Sequence, residues 1–315
     1  MTNVKCGFGK NTDGIINGLD YLMFLASSIK KLILDKLGLE VLGIQENFQG
    51  CDQNVWIITT SNSNNEKIVL KHPKNEVYLR IMREVLACEL FQRIAINVPR
   101  ILYWDNEILI ETFIVGQLLD KIKFENVSQF EIFLNLGKIL HKIHSISAVG
   151  FGKIKSMKLI GEFPDQDSYF NQGFLEDMNN LENTGIFSQK QIQNIKDHYE
   201  NNKKMINKKK SVLLHADFAD SNIFLTPMNE ITLIDFADLS AGNPMQDFAY
   251  MYETYYGTPA FDALMEGYQE GNLPEIEFFA FCRFIWLIPL LWKNKKNHKR
   301  VQRILQLFNS MLNPK

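Results

Sequence analysis

A chain of 315 residues, 46% hydrophobic and 22% charged, holds material for two sizeable cores and has the composition of an ordinary globular protein. A net charge of -2 argues against nucleic acid as the main partner. The most apolar stretch, Phe278 to Trp292, is interrupted by Arg283 and Pro289 and falls short of the roughly 18–20 residues that cross a bilayer, so no membrane partner is expected.

Met1 to Asn11 lacks the apolar core of a signal peptide. Cys6, Cys51, Cys88 and Cys282 show no C-x-x-C spacing, and reduced thiols in a cytoplasmic protein are expected. Between residues 15 and 37, Ile16, Leu19, Leu22, Met23, Leu25, Ile29, Leu32, Ile33 and Leu37 recur at helical spacing, and Gly38 ends the run. From Val41 to Leu70 the pattern turns strand-like. Leu42-Gly43-Ile44 and Val55-Trp56-Ile57-Ile58 flank Gln49 to Asn54, a loop that reads either as an ordinary hairpin or as one whose backbone N–H groups, around Gly50 and Asn54, cover phosphates. No G-x-G-x-x-G or Walker A spacing accompanies it.

Ile68-Val69-Leu70-Lys71 reads as a strand, and about 75–94 as a helix whose apolar stripe Val77, Ile81, Cys88 and Phe91 includes Glu84. A carboxylate in an apolar stripe needs a partner, since an isolated buried charge is costly. Lys71 is the natural candidate. Glu89 competes with Glu84 for that role, and the bland alternative is a solvated lysine beside a snorkelling glutamate. Two short strands follow, at Val98-Pro99 and at Ile108 to Phe113, and after Gly116 the chain becomes helical.

Phe130 to Ile146 has helical periodicity and ends in Leu140-His141-Lys142-Ile143-His144, where His144 is expected to make a packing hydrogen bond. Residues 161–182 are acidic, with Glu162, Asp165, Asp167, Glu176, Asp177 and Glu182 interleaved with Tyr169, Phe170 and Phe174. They read equally as a surface for a cationic, polyhydroxylated small molecule or as a solvated helix face. Lys203 to Lys210 reads as a solvated loop.

The densest chemistry lies between Ser211 and Asp247. Val212-Leu213-Leu214 and Ile231 to Ile234 are strand-like and end at His215 and Asp235, with Asn222 to Leu225 a third short strand and Pro227-Met228-Asn229 a turn. This gathers Asp217, Asn222 and Asp235, whose carboxylate and amide oxygens suit a hard cation such as Mg²⁺ completed by substrate phosphates. The spacing His215-Ala216-Asp217, four residues, then Asn222 follows the kinase catalytic loop H-R-D-x-x-x-x-N, and Asp235-Phe236-Ala237 follows its D-F-G. Ala replaces Arg in the first pattern and Gly in the second. Asp220 and Asp238 read as surface carboxylates.

The block HADFADSNIF…ITLIDFAD…GNPMQDFA resembles the aminoglycoside phosphotransferase family, kin to choline and homoserine kinases, and is similar to its hygromycin-type members. The resemblance extends over about residues 40–290. It implies an α+β, bilobal protein-kinase-like fold with a small antiparallel-sheet N-lobe and a larger, mainly helical C-lobe. On that basis 1–40 is a helical extension, 41–114 the nucleotide-binding lobe and 115–315 the catalytic and substrate-binding lobe. It further implies ATP or GTP with Mg²⁺ as cofactors, Lys71 on the phosphates fixed by Glu84, and the backbone of Glu111–Phe113 against the purine. Asp217 is the implied base, His215 a residue shaping the catalytic loop by hydrogen bonding, Asn222 and Asp235 the metal ligands, and Asp247 a brace for the loop. Glu253 and Asp262, with Asp177, are the expected acceptor contacts. A metabolite kinase for choline, homoserine or a sugar is the alternative, and a catalytically silent nucleotide-binding regulator a further one.

Overall fold

The structure is a computed structural model that describes residues 18–47, 53–61, 66–124, 128–206, 210–293 and 298–312. Gly50, expected at a phosphate-binding loop, lies outside the described residues. The chain divides into two compact units, one of Met1–Cys88 with Pro99–Val115, the other of Glu89–Val98 with Gly116–Lys315. The fold is mixed α+β, with an antiparallel sheet in the N-terminal part and mainly helices in the C-terminal part.

The first unit opens with α1 (Gly18–Leu37), which stops at Gly38, a residue in the left-handed region (φ 67°) whose N–H is donated to Leu34 O. Five antiparallel strands follow, β1 (Val41–Asn47), β2 (Gln53–Thr60), β3 (Lys67–Pro73), β4 (Ile101–Trp104) and β5 (Leu109–Thr112), in the order β1-β2-β3-β5-β4. Helix α2 (Val77–Arg93) is inserted between β3 and β4. Strand alternation sorts the side chains between the two faces of the sheet. Trp56, Ile58, Ile68, Leu70 and Ile110 pack with Ile29 and Ile33 of α1, whereas Leu109 packs with Ile81 and Val85 of α2. Lys71 and Glu111 are therefore turned, with Leu109, toward α2.

In the second unit, β6 (Gln117–Leu118) leads to α3 (Gln129–His144), the hairpin β7 (Phe151–Ser156) and β8 (Ile160–Phe163), then α4 (Gln166–Glu182) and α5 (Gln189–Asn202). Four three-residue strands come next: β9 (Val212–Leu214), β10 (Ile223–Leu225), β11 (Ile231–Leu233) and β12 (Ser240–Gly242). They complete two small sheets, β11-β10-β6 and β8-β7-β12-β9. Helices α6 (Phe248–Tyr255), α7 (Pro259–Tyr268), α8 (Leu273–Lys293) and α9 (His298–Leu312) follow. Among the described residues no helix is long and apolar enough to cross a membrane.

Helices α3 and α7 cross backbone to backbone. A Cβ at Gly137 would run into the Leu264 carbonyl, and one at Gly267 into the Leu134 carbonyl. This close approach carries His144, at the end of α3, to Tyr268, at the end of α7. In an exposed helix Gly→Ala gains about 1 kcal/mol. Here Gly267→Ala is expected to lose about 2 kcal/mol from overpacking, measured as a lowered urea midpoint. A raised midpoint would contradict the crossing.

Candidate active site

Strand β9 ends at Leu214 and delivers the loop His215–Asn222. Register pairs Leu214 with Ser240 on β12, and the hairpin β10–β11 pairs Ile223 with Leu233. Ile234 N–H is donated to Asn222 O, 3.0 Å away, which sets Asn222 beside the residue preceding Asp235. Asn222 donates through Nδ2 to Asp217 Oδ2 (2.8 Å) and to Asp217 O (2.9 Å). The structure thus brings Asp217, Asn222 and Asp235 together, with Asp235 contributing to the electrostatics of Asp217.

Asp247 holds the loop from below. Its Oδ1 accepts from Ala216 N–H at 2.7 Å, and its Oδ2 accepts from His215 N–H at 2.8 Å and from His144 Nε2 at 3.1 Å. His144 Nδ1 in turn lies 2.9 Å from the Tyr268 hydroxyl. Charge-assisted hydrogen bonds of this kind are roughly twice as strong as neutral ones. They hold Ala216 in the left-handed region (φ 67°), where a non-glycine residue costs about 1–2 kcal/mol. Asp235 shares that conformation (φ 64°).

His215 departs from expectation. Its side chain is fully buried, makes no hydrogen bond among the described residues, and sits against Phe218 and Phe236 with ring centroids 5.7 and 5.0 Å away. The hydrogen bond that shapes the loop comes from the backbone N–H of His215, not from its imidazole. Asp220 is also corrected. It is buried and accepts from the hydroxyls of Tyr250 (3.0 Å) and Tyr255 (3.1 Å) on α6. Asp238 is half-buried and paired with Lys153 at 2.6 Å.

A cavity of about 290 Å³ opens within the second unit, lined by Asp217 and Asp177 and walled by aromatic side chains such as Phe170, Phe174 and Trp286. Burial pushes the Asp217 carboxyl above the ordinary carboxylate value, and Asp235 adds to this; His215, the Asn222 hydrogen bond and Arg283 oppose it. Burial also pushes Asp177 up, to about 6, with the Glu176 charge contributing. Of the three expected acceptor contacts, only Asp177 lines this cavity. Glu253 is buried and bound by Arg300 of α9 through Nε and Nη2, with Arg283 Nε 3.5 Å away, so its charge serves packing between helices. Asp262 is exposed in the first turn of α7, where a carboxylate favours the helix N-terminus.

In the first unit Lys71 Nζ lies 3.0 Å from Glu84 Oε1 and 3.0 Å from Glu111 Oε1, all three side chains being buried. Glu89, the competitor, is half exposed and faces Arg93 instead. Glu111 was expected to act through its backbone. That backbone is committed to the sheet, opposite Val69 and Ile101, while Thr112 and Phe113 donate their N–H groups to Arg100 O and Lys67 O. The Glu111 side chain pairs with Lys71, and the alternation of β5 contains the signal for it, since Glu111 must face opposite to Ile110. Asn54 lies on β2 paired with His72, and the Phe113 ring carries Lys67 Nζ 5.4 Å from its centroid. Among the described residues no group of three His, Cys, Asp or Glu side chains could hold a metal.

The model of the phosphotransferase enzyme family matches residues 44–282. No curated protein matches. Among solved structures, a thermostable mutant of the aminoglycoside phosphotransferase APH(4)-Ia is 14% identical, covering 90% of this chain and 98% of its own, with a TM-score of 0.66. The same enzyme has been solved as a ternary complex with AMP-PNP and hygromycin B. The gentamicin complex of APH(2″)-IIa is 18% identical over 92% of this chain and 96% of its own, at 0.62. Macrolide 2′-phosphotransferase MphH from Brachybacterium faecium is 13% identical over 92% and 98%, at 0.60. The fold is that of these enzymes, and with three quarters of its length matched by the family model the chain belongs to the phosphotransferase enzyme family.

Proposed function

We propose that this phosphotransferase moves the γ-phosphoryl group of ATP or GTP, in the presence of Mg²⁺, onto a hydroxyl of a small molecule bound in the Asp217 cavity. The observation that carries the reading is the carboxylate of Asp217, held by Asn222 and open to that cavity. Asp217 orients the acceptor hydroxyl and takes its proton as the oxygen–phosphorus bond forms and the bond to the leaving nucleoside diphosphate breaks. Most of the acceleration then comes from positioning and charge.

The residues present fit a hard cation. Asn222 spends its Nδ2 on Asp217, which leaves Oδ1 to accept a cation, and no described residue bonds the Asp235 carboxylate. One carboxylate and one amide oxygen, completed by phosphates and water, are a donor set that Mg²⁺ takes. Bound there, the ion would supply charge neutralisation on the phosphate oxygens. Lys71, fixed by Glu84 and Glu111, is the phosphate-steadying cation of this reading. Residues 41–114 then serve the nucleotide and 115–315 the acceptor and the chemistry, with 1–40 as a helical extension.

Two acceptor classes compete. An aminoglycoside of the hygromycin kind is supported by the shared fold and by Asp177, a seat for one ammonium. A metabolite hydroxyl on a molecule that bears a carboxylate, such as homoserine, is favoured by Arg283 in the same cavity.

Asp217→Asn is expected to lower turnover by about a thousandfold or more while nucleotide affinity, measured by calorimetry, changes little. Asp235→Ala should instead remove the Mg²⁺ dependence of nucleotide binding. Turnover retained in the first variant, or Mg²⁺-nucleotide affinity retained in the second, would contradict the assigned roles. Because Asp217 works ionised and its carboxyl is raised above 3.8, kcat/KM should fall with acidification along a limb lying above that value. A limb at or below the ordinary carboxylate range would count against Asp217 as the base.

A further inference from the structure

The acceptor cavity contains one cation that the transfer itself does not employ. Arg283, on α8, lines the cavity together with Asp217 and Asp177. Its guanidinium lies over the ring of Tyr250, 5.1 Å from the centroid, and over that of Trp286, 5.8 Å away. Cation–π contact with those two rings holds the group in the cavity wall. Its Nε is 3.5 Å from Glu253 Oε2, an ion-pair contact without a hydrogen bond, and Glu253 is itself hydrogen-bonded by Arg300 through both oxygens. Asp220, the other carboxylate of this cluster, is occupied by the hydroxyls of Tyr250 and Tyr255. No described residue accepts a hydrogen bond from the Arg283 guanidinium.

A guanidinium held against two rings, with hydrogen-bond donors unspent, matches an oxyanion in two-point geometry. The other charges lining the cavity are few. Asp247 is consumed by His215, Ala216 and His144, and Asp217 is reserved for the hydroxyl, which leaves Asp177 as the one carboxylate for an ammonium. Several ammonium groups would therefore meet a single uncommitted carboxylate and a guanidinium, and like charges placed together repel.

We propose that Arg283 is an oxyanion subsite of the acceptor cavity, so that the acceptor is a hydroxylated small molecule bearing a carboxylate or phosphate, not a polyammonium sugar. The inference rests on the phosphotransferase reading for the identity of the cavity, and its test separates the two.

Mg²⁺-dependent nucleotide consumption is followed for the natural protein, Arg283→Gln and Arg283→Lys. The acceptors are homoserine and glycerate (carboxylates), glycerol 3-phosphate (a phosphate), choline (a cation) and hygromycin B (a polycation). The expected result is turnover on an oxyanion-bearing acceptor, with KM raised about tenfold or more in Arg283→Gln, kcat nearly kept, and partial rescue in Arg283→Lys. Which of the two anion types is used follows from which acceptors respond. Efficient turnover on hygromycin B or choline, or a KM unaffected by Arg283→Gln, overturns the subsite. If no acceptor turns over, the arginine Nε resonances of ¹⁵N-labelled protein decide, with the Arg283 signal identified by its loss in Arg283→Lys. A saturable shift of that signal with glycolate or inorganic phosphate, absent with sodium chloride at equal ionic strength, upholds the subsite, and no shift overturns it. Asp217→Asn that still turns over brings down the transfer reading, whereas a glycolate shift persisting in that variant leaves Arg283 standing.

Discussion

The loop His215–Asn222, the proposed catalytic loop, depends on one buried carboxylate. Asp247 receives the backbone N–H groups of His215 and Ala216 and the imidazole of His144, and so fixes the direction in which the chain leaves β9. A buried charge is tolerable only when its acceptor positions are filled, and three donors fill them. Directly at two of those donors, Ala216 holds a left-handed conformation that costs about 1–2 kcal/mol. The clamp and the strain are one device: the hydrogen bonds hold a backbone shape that turns Asp217 toward Asn222. The close crossing of α3 and α7 supports it from behind by bringing Tyr268 to His144.

Much of the site is legible in the sequence because its spacing is local. Asp217, Asn222 and Asp235 follow from three short strands and a turn, since a strand ending before a polar residue presents it at the sheet edge. Glu84 is legible as well, from a carboxylate placed in an apolar helical stripe. The side-chain pairing of Glu111 is also contained in the sequence, because alternation along β5 turns it to the face of Lys71. Asp220, Glu253 and Arg283 were not legible. Their partners lie 30 to 47 residues away on other helices, and no periodicity records which helices meet. His215 illustrates a further limit: a histidine beside a catalytic aspartate suggests a side-chain role, yet burial between two phenylalanines leaves only its backbone active.

Composition along the chain gave an incomplete guide to the acceptor. Residues 161–182 are acidic, but helical geometry sends most of those carboxylates outward and only Asp177 into the cavity, whose walls are aromatic. Rings of this kind bury the faces of a sugar or an aliphatic body, and the few charges between them select what else that body carries. On the proposed assignment of the chemistry to Asp217 and its neighbours, the cavity residues left to discriminate among acceptors lie mainly on α4 and α8. The same scaffold can therefore serve different molecules by changing residues that never touch the phosphate.

The most direct measurement is amide hydrogen exchange across residues 212–222, in the natural protein and in Asp247→Asn. It needs no knowledge of the acceptor. The account predicts slow exchange at His215 and Ala216 in the natural protein, and a marked acceleration at those two amides in the variant while the amides of β9 and β12 stay protected. Equal protection at His215 and Ala216 in both proteins would contradict the claim that Asp247 holds the catalytic loop.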